Sequence, residues 1–164
     1  MDKKEQSGKM RRKDREVTDR REIDEIIDRC DSCRIGFAVD NEPYIVSLNF
    51  GYKSGDPAFL YFHCATAGKK LDMLRLNNHV FFQMDCNHNL VTSENACGNS
   101  MTYESAAGKG MLYIVDDKLE KITGLDYIMK HYTGKDSFSY DVNILEHTVI
   151  LRLEITGISA KRKS

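Results

Sequence analysis

Three apolar runs follow one another between residues 34 and 64 without a helical stretch between them. Arg34–Val39 ends at the turn Asp40-Asn41-Glu42-Pro43, and Tyr44–Phe50 ends at Gly51. Phe59–Cys64 follows the turn Lys53-Ser54-Gly55-Asp56-Pro57. A parallel pair needs a crossover of about a dozen residues or more, usually a helix. Runs this close together pair as antiparallel neighbours, and the first two read as a β-hairpin.

The rest of the pattern agrees. His79–Asp85 is a fourth strand and Met101–Val115 a long fifth, with a bulge or bend expected at Gly108-Lys109-Gly110. Val149–Ile158 alternates apolar and polar residues, as a strand with one buried face does. Residues 86–98, rich in asparagine, read as a loop. Three helices interrupt the strands. Residues 19–31 place Ile23, Ile26, Ile27 and Cys30 on one face, opened by Asp19 and Glu22 as a capping box. Residues 69–77 turn Leu71, Met73 and Leu74 inward. Residues 117–133 line up Leu119, Ile122, Leu125, Met129 and Tyr132, start at Asp117 and stop at Gly134. The expected fold is mainly β with flanking helices: an antiparallel, barrel-like sheet with helices packed outside.

At 164 residues the chain suits one domain and can bury a core without disulfides or structural metal. We take residues 1–17 as a flexible charged tail and 18–164 as the domain. No apolar run approaches the roughly 18 residues of a membrane span, and the polar start is unlike a secretory signal. Net charge is −1, but unevenly spread. Residues 1–15 carry seven Lys/Arg against three acids, residues 161–164 carry three basic residues, and 16–160 is left at −8. An acidic body argues against nucleic-acid binding. Five cysteines with no signal sequence argue against a disulfide framework and for a cytoplasmic chain. Cys30-Asp31-Ser32-Cys33 follows a helix, so it lacks the helix N-terminus that activates a redox CxxC; two small apolar residues at a helix end is the reading it fits. No second cysteine pair or spaced histidine set offers a zinc site. P-loop, dinucleotide, nucleophile-elbow and HExxH motifs are absent.

Two segments invite chemistry. In Phe62-His63-Cys64-Ala65-Thr66-Ala67-Gly68-Lys69-Lys70, a strand leads through small residues into a helix that begins with two lysines. Cations are unfavourable at the positive end of a helix dipole by a few tenths of a kcal/mol unless an anion joins them. Lys69 and Lys70 either point to water or, with the free amides and Gly68, form a phosphate site. In Pro43–Phe50, apolar residues on both faces predict a central strand, with Ser47 and Asn49 on one side. Those two need partners, from neighbouring backbone or from a polar ligand. Tyr103 and Ser105 share a face just before the glycine bend.

Taken in order, Met10–Glu16, Pro43–Phe50, Leu60–Lys70 and Tyr103–Gly108 resemble the split-barrel flavoproteins related to pyridoxamine 5′-phosphate oxidase. The chain is most similar to their nitroimidazole-resistance subgroup. The resemblance implies a six- to seven-stranded antiparallel split β-barrel that binds FMN in a cleft between the subunits of a homodimer. It implies a phosphate site at Lys69 and Lys70. It assigns Tyr44, Val46, Ser47, Leu48 and Asn49 to the strand along the ribityl chain and ring, Phe62 and His63 to the strand end bordering the flavin, and Tyr103 and Ser105 to further contacts. The oxidase branch has Arg at the position of Tyr44 and Lys at that of Asn49, so vitamin B6 chemistry is not implied. The implied activity is oxidoreduction, passing electrons from NAD(P)H to a small-molecule acceptor such as a nitroaromatic compound. His63 is the candidate proton donor, since imidazole titrates near neutrality. A non-catalytic flavin carrier or sensor, and a haem-handling split barrel, are the alternatives.

Overall fold

The computed structural model describes residues 10–164. Residues 1–9 of the expected tail lie outside them. In chain order the elements are β1 (Glu16–Val17), α1 (Arg20–Arg29), β2 (Cys33–Val39), β3 (Glu42–Leu48), β4 (Phe50–Lys53), β5 (Phe59–Cys64), α2 (Lys69–Leu76), β6 (His79–Val91), β7 (Ser100–Val115), α3 (Lys118–Thr133), α4 (Val142–Glu146) and β8 (Val149–Lys163). The sheet is antiparallel throughout, in the order β3-β2-β6-β7-β8-β5-β4, with β1 added to β8. Its two edge strands, β3 and β4, are consecutive in the chain and meet at Asn49. The sheet curls until its ends are joined by covalent backbone rather than by a ladder. That is a split barrel.

The described residues hold eight strands. The two beyond the expected six are β1 and β4, the second created by the break at Asn49. Inside the barrel, Ile35, Phe50, Leu60, Phe62, Phe82, Met84, Leu112, Leu151 and Leu153 are fully or almost fully buried. Each such side chain contributes about 2–3 kcal/mol relative to exposure. Helix α1 closes one part of this core with Ile23, Ile26 and Ile27, and α2 adds Leu71, Met73 and Leu74. Asp19 caps α1 by accepting from the Arg21 and Glu22 amides, as its sequence position predicts.

Several expectations need correction. Residues 13–17, read as tail, form a 3₁₀ turn and strand β1, with Glu16 opposite Lys161. Residues 86–98, read as loop, are strand in their first half: β6 runs to Val91 and pairs with β7 from Ser100, and 92–98 form the loop, closed by a 3₁₀ turn at Ala96–Gly98. An extra residue in β6 between Cys86 and Asn89 hid the strand pattern by reversing its face, and Asn87 there adopts φ 57°, which asparagine tolerates. The bulge expected in the glycine stretch of β7 belongs to its neighbour. Lys109 pairs with Gly157 and Gly110 with Ile155, so Thr156 of β8 is the extra residue. Gly108 and Gly110 serve a close approach instead, because a Cβ would stand 2.2 Å from the Gly157 carbonyl oxygen and 2.1 Å from that of Glu154.

Helix α3 buries Gly124 and Ile128, not the face drawn through Leu119 and Met129; Leu119 is 75% exposed. The helix lies outside the barrel, over β4 and β5, where Tyr61, Val115, Ile128 and Ile150 form a second, smaller core. Strand β3 is not central. It is an edge strand whose Tyr44, Val46 and Leu48 pack inward while Ile45 and Ser47 face out, as does Asn49 just beyond its end.

Candidate functional site

The β5–α2 connection delivers the two lysines. β5 ends at Cys64, and Gly68 turns the chain into α2 at φ 140°, a conformation that favours glycine. A Cβ on Gly68 would meet nothing within 4 Å, so the approach is open. The α2 N-terminus has no side-chain cap. Among the described residues, the amides of Lys69 and Lys70 have no acceptor and neither ammonium has a carboxylate within 4 Å. Lys69 Nζ lies 4.8 Å from the centroid of the Tyr44 ring, and Tyr44 in turn packs against Phe37 of the core. These cations and free donors fit a phosphate.

The barrel breaks further along the strand that carries Tyr44, between β3 and β4. Leu48 makes the last β3 pair with Cys33, and Phe50 makes the first β4 pair with Phe62. Asn49 between them belongs to neither ladder. Continuing the β4–β5 register by one residue sets His63 opposite Asn49, and both side chains are exposed. The structure thus sets Lys69 against Tyr44 and His63 one register step across from Asn49, with Lys70 beside Lys69 at the start of α2. Val46 and Leu48 face the core and Ser47 the solvent. Phe62 is fully buried, so its ring belongs to the core and only its backbone can border a ligand.

Tyr103 and Ser105 lie elsewhere in the chain's own fold. Ser105 of β7 stands between Asp85 of β6 and Lys161 of β8; Tyr103 stands beside Lys163 and accepts from Arg15 Nη1 at 3.4 Å. Strands β2 and β6 separate β7 from β3. At about 4.8 Å per strand spacing, Tyr103 and Ser105 stand roughly 14 Å from β3 across the sheet. Arg15, Lys161 and Lys163 around Tyr103 escaped sequence reasoning because a run of charges at a chain end reads as a solvated tail. The sheet between the two groups carries an open groove of about 500 Å³, lined by Gly36, Ala38, Pro43, Ile45 and Phe81. Ile45 and Phe81 are 68% and 56% exposed there, a large apolar face for water to cover.

The interior beside Tyr103 is built around Glu104, 7% exposed on the core side of β7. Arg29 donates to both its oxygens at 2.9 and 3.0 Å, Arg162 donates at 2.6 Å, and Asn87 donates at 2.6 Å. Burial pushes the Glu104 carboxyl up, but the donors outweigh it and hold it below the ordinary carboxylate range. The bulge at Asn87 is what aims the amide. This cluster ties α1, β6, β7 and β8 together. Among the described residues no group of three metal-ligating side chains occurs, and no helix is long and apolar enough to cross a membrane.

The chain is 34% identical to a protein named for 5-nitroimidazole antibiotic resistance from Bacteroides thetaiotaomicron, with 90% of this chain and 86% of that one covered and a TM-score of 0.78. A flavocytochrome from Azotobacter vinelandii shares the fold at 16% identity, covering 95% and 72% of the two chains with a TM-score of 0.78. So does an FAD- and haem-binding protein from Mycobacterium smegmatis, at 18% identity, 92% and 74% coverage and a TM-score of 0.77. No curated protein matches the chain. The family model described as pyridoxamine 5′-phosphate oxidase matches residues 19–162, nearly the whole described fold, and the chain belongs to that family.

Proposed function

We propose that this protein binds FMN between two copies of itself and uses it to pass electrons from NAD(P)H to a small electrophile such as a nitroimidazole. The observation that carries the reading is the pair Lys69 and Lys70 at an uncapped helix start with an open approach over Gly68. The likeness at 34% identity to a protein named for nitroimidazole resistance supplies the class of acceptor.

Bound flavin supplies the electron-transfer chemistry. The chain's own residues hold and surround it. Lys69, Lys70 and the α2 amides neutralise the phosphate. Asn49 offers an amide to the ring edge or ribityl chain, and His63 donates a proton to the reduced acceptor. The exposed groove around Ile45 and Phe81 supports a homodimer, and a second copy packed on this face is the reading that brings Tyr103 and Ser105 to a site they do not reach in one chain. The absence of Arg at Tyr44 and of Lys at Asn49 favours acceptors other than vitamin B6 phosphates.

The test is a visible spectrum of the purified protein incubated with FMN, FAD or haem, followed by NAD(P)H with a nitroimidazole. Flavin absorbance with FMN and turnover support the proposal. Flavin absorbance without turnover makes the protein a carrier or sensor, and a Soret band in place of flavin peaks makes it a haem protein. A colourless preparation that takes up none of the three defeats the reading.

A further inference from the structure

The break at Asn49 leaves the barrel without a hydrogen-bonded ladder at one place, and the last turn of α3 is docked there. The Tyr132 hydroxyl donates to the Asp31 carbonyl at 2.8 Å and accepts from the Phe50 amide at 3.2 Å. Asp31 lies in the turn that enters β2, and Phe50 is the first residue of β4. One phenol therefore spans the two sides of the split. His131 reinforces it: its Nε2 lies 2.7 Å from the Cys30 carbonyl, and its ring packs on Phe50 with centroids 4.4 Å apart. Gly134 ends the helix immediately afterwards in the left-handed conformation.

The position of this bridge matters more than its strength. An ordinary hydrogen bond is worth only about 1 kcal/mol net. Phe50 is held to β5 by its pair with Phe62, and the Tyr132 hydroxyl adds a tie from its N–H to the turn entering β2 on the other side of the split. Asn49 has no ladder pair of its own, so its side chain is aimed only by its neighbours, Leu48 in one ladder and Phe50 in the other. His63 sits one register step across from it.

We infer that Tyr132 is a positioning residue: its hydroxyl pins the split so that Asn49 and His63 face a common ligand at a fixed separation. This rests on the flavin site proposed above. Small displacements of groups that orient a reactant are costly, since about 1 Å is worth up to about a hundredfold in rate. The seam is thus a place where one hydroxyl, bonded to Asp31 and Phe50 and not to the lysines, sets the geometry of the reacting end while leaving the phosphate end untouched.

Tyr132→Phe keeps the ring packing and removes both hydrogen bonds. Glu120→Gln is the control: it weakens the 2.7 Å pair with Arg152 that docks the other end of α3, and leaves the split alone. With FMN bound, Tyr132→Phe is expected to change the visible circular dichroism of the flavin and lower kcat about tenfold or more, with KM and flavin affinity within about threefold of wild type. Without flavin, it is expected to shift the His63 ring resonances in a proton–carbon NMR spectrum. Glu120→Gln is expected to lower Tm and move neither signal. A Tyr132→Phe protein that loses Tm but keeps the dichroism, kcat and His63 resonances of wild type overturns the inference, because docking alone then explains the contact. A wild-type protein that binds no flavin overturns the proposed function instead. The His63 resonances still decide whether Tyr132 positions the split.

Discussion

Lys69 Nζ lies 4.8 Å from the centroid of the Tyr44 ring, the contact that joins the start of α2 to strand β3. The aromatic face holds the ammonium without neutralising it, so its charge remains free for an anion. Tyr44→Leu should weaken FMN binding about threefold, the loss of one exposed cation–π contact. Lys69→Ala and Lys70→Ala should each weaken it about tenfold, the worth of one charge-assisted hydrogen bond. Fluorescence titration of FMN reads all three, and equal affinities for wild type and the double lysine variant would remove the phosphate site.

His63 is exposed at the end of β5 and makes no hydrogen bond among the described residues that its loss would break. His63→Ala should fold normally, bind FMN as wild type does, and lose about a hundredfold in turnover if it supplies the proton. Steady-state rates with a nitroimidazole acceptor, beside a thermal melt, separate this from simple damage to the fold.

Glu104 should contribute to the acid limb of stability. Its folded carboxyl lies below its ordinary value, so it contributes stability above the unfolded carboxylate range near about 4.3, and this is lost as pH falls through the folded value. Glu104→Gln strands Arg29 and Arg162. Both are about a third exposed, so the cost should be about 2 kcal/mol, below that of a fully buried pair. Denaturant melts taken from pH 7 downward should show the gap between the two proteins narrowing once the pH falls below the ordinary carboxylate range.

Gly51 lets α3 lie close on the barrel: a Cβ there would stand 2.3 Å from the Ile128 nitrogen. Gly51→Ala should cost about 3 kcal/mol, since the obstacle is helix backbone and not a movable side chain. For a chain of this size that is a fall in Tm of roughly 10 °C. The same change lifts the helix end carrying Tyr132, so flavin dichroism should change with it.

The cysteines should differ sharply in reactivity. Burial pushes the Cys33 thiol up to about 12 and Cys30 higher still, and raises Cys64 and Cys86 as well. Cys97 is exposed. Brief alkylation at pH 7.5 should add a single label to the native protein, at Cys97, and five to the unfolded chain. Early labelling at Cys30 or Cys33 would show that the CxxC segment opens.

What the sequence revealed follows from how far each signal reaches along the chain. Capping and periodicity are local, so α1, α2 and the start and end of α3 were legible from Asp19, Asp117 and Gly134. Closely spaced turns made the antiparallel sheet legible too. The edge position of β3 was not, because apolar residues on both faces look the same whether a neighbouring strand or an uncovered surface lies beside them. Nor was the β6 extension, since one bulge at Asn87 exchanges the faces of every residue after it. Lys69 and Lys70 stood out because they oppose a helix dipole. Tyr132 did not, because its role depends on carbonyl and amide groups 101 and 82 residues away.

The pairing of Glu16 with Lys161 brings together charges that the sequence keeps at opposite ends. Arg11, Arg12, Lys13 and Arg15 leave the barrel beside Lys161, Arg162 and Lys163, on a body that is otherwise acidic. Basic residues from both ends of the sequence thus share one corner, where Asp14, Glu22 and Glu104 pair with some of them, in spite of a net charge of −1. If the proposed function holds, that corner should draw in a phosphorylated cofactor or a dinucleotide donor before any contact forms. Its capture should slow as salt is added, even where the equilibrium it reaches is set elsewhere.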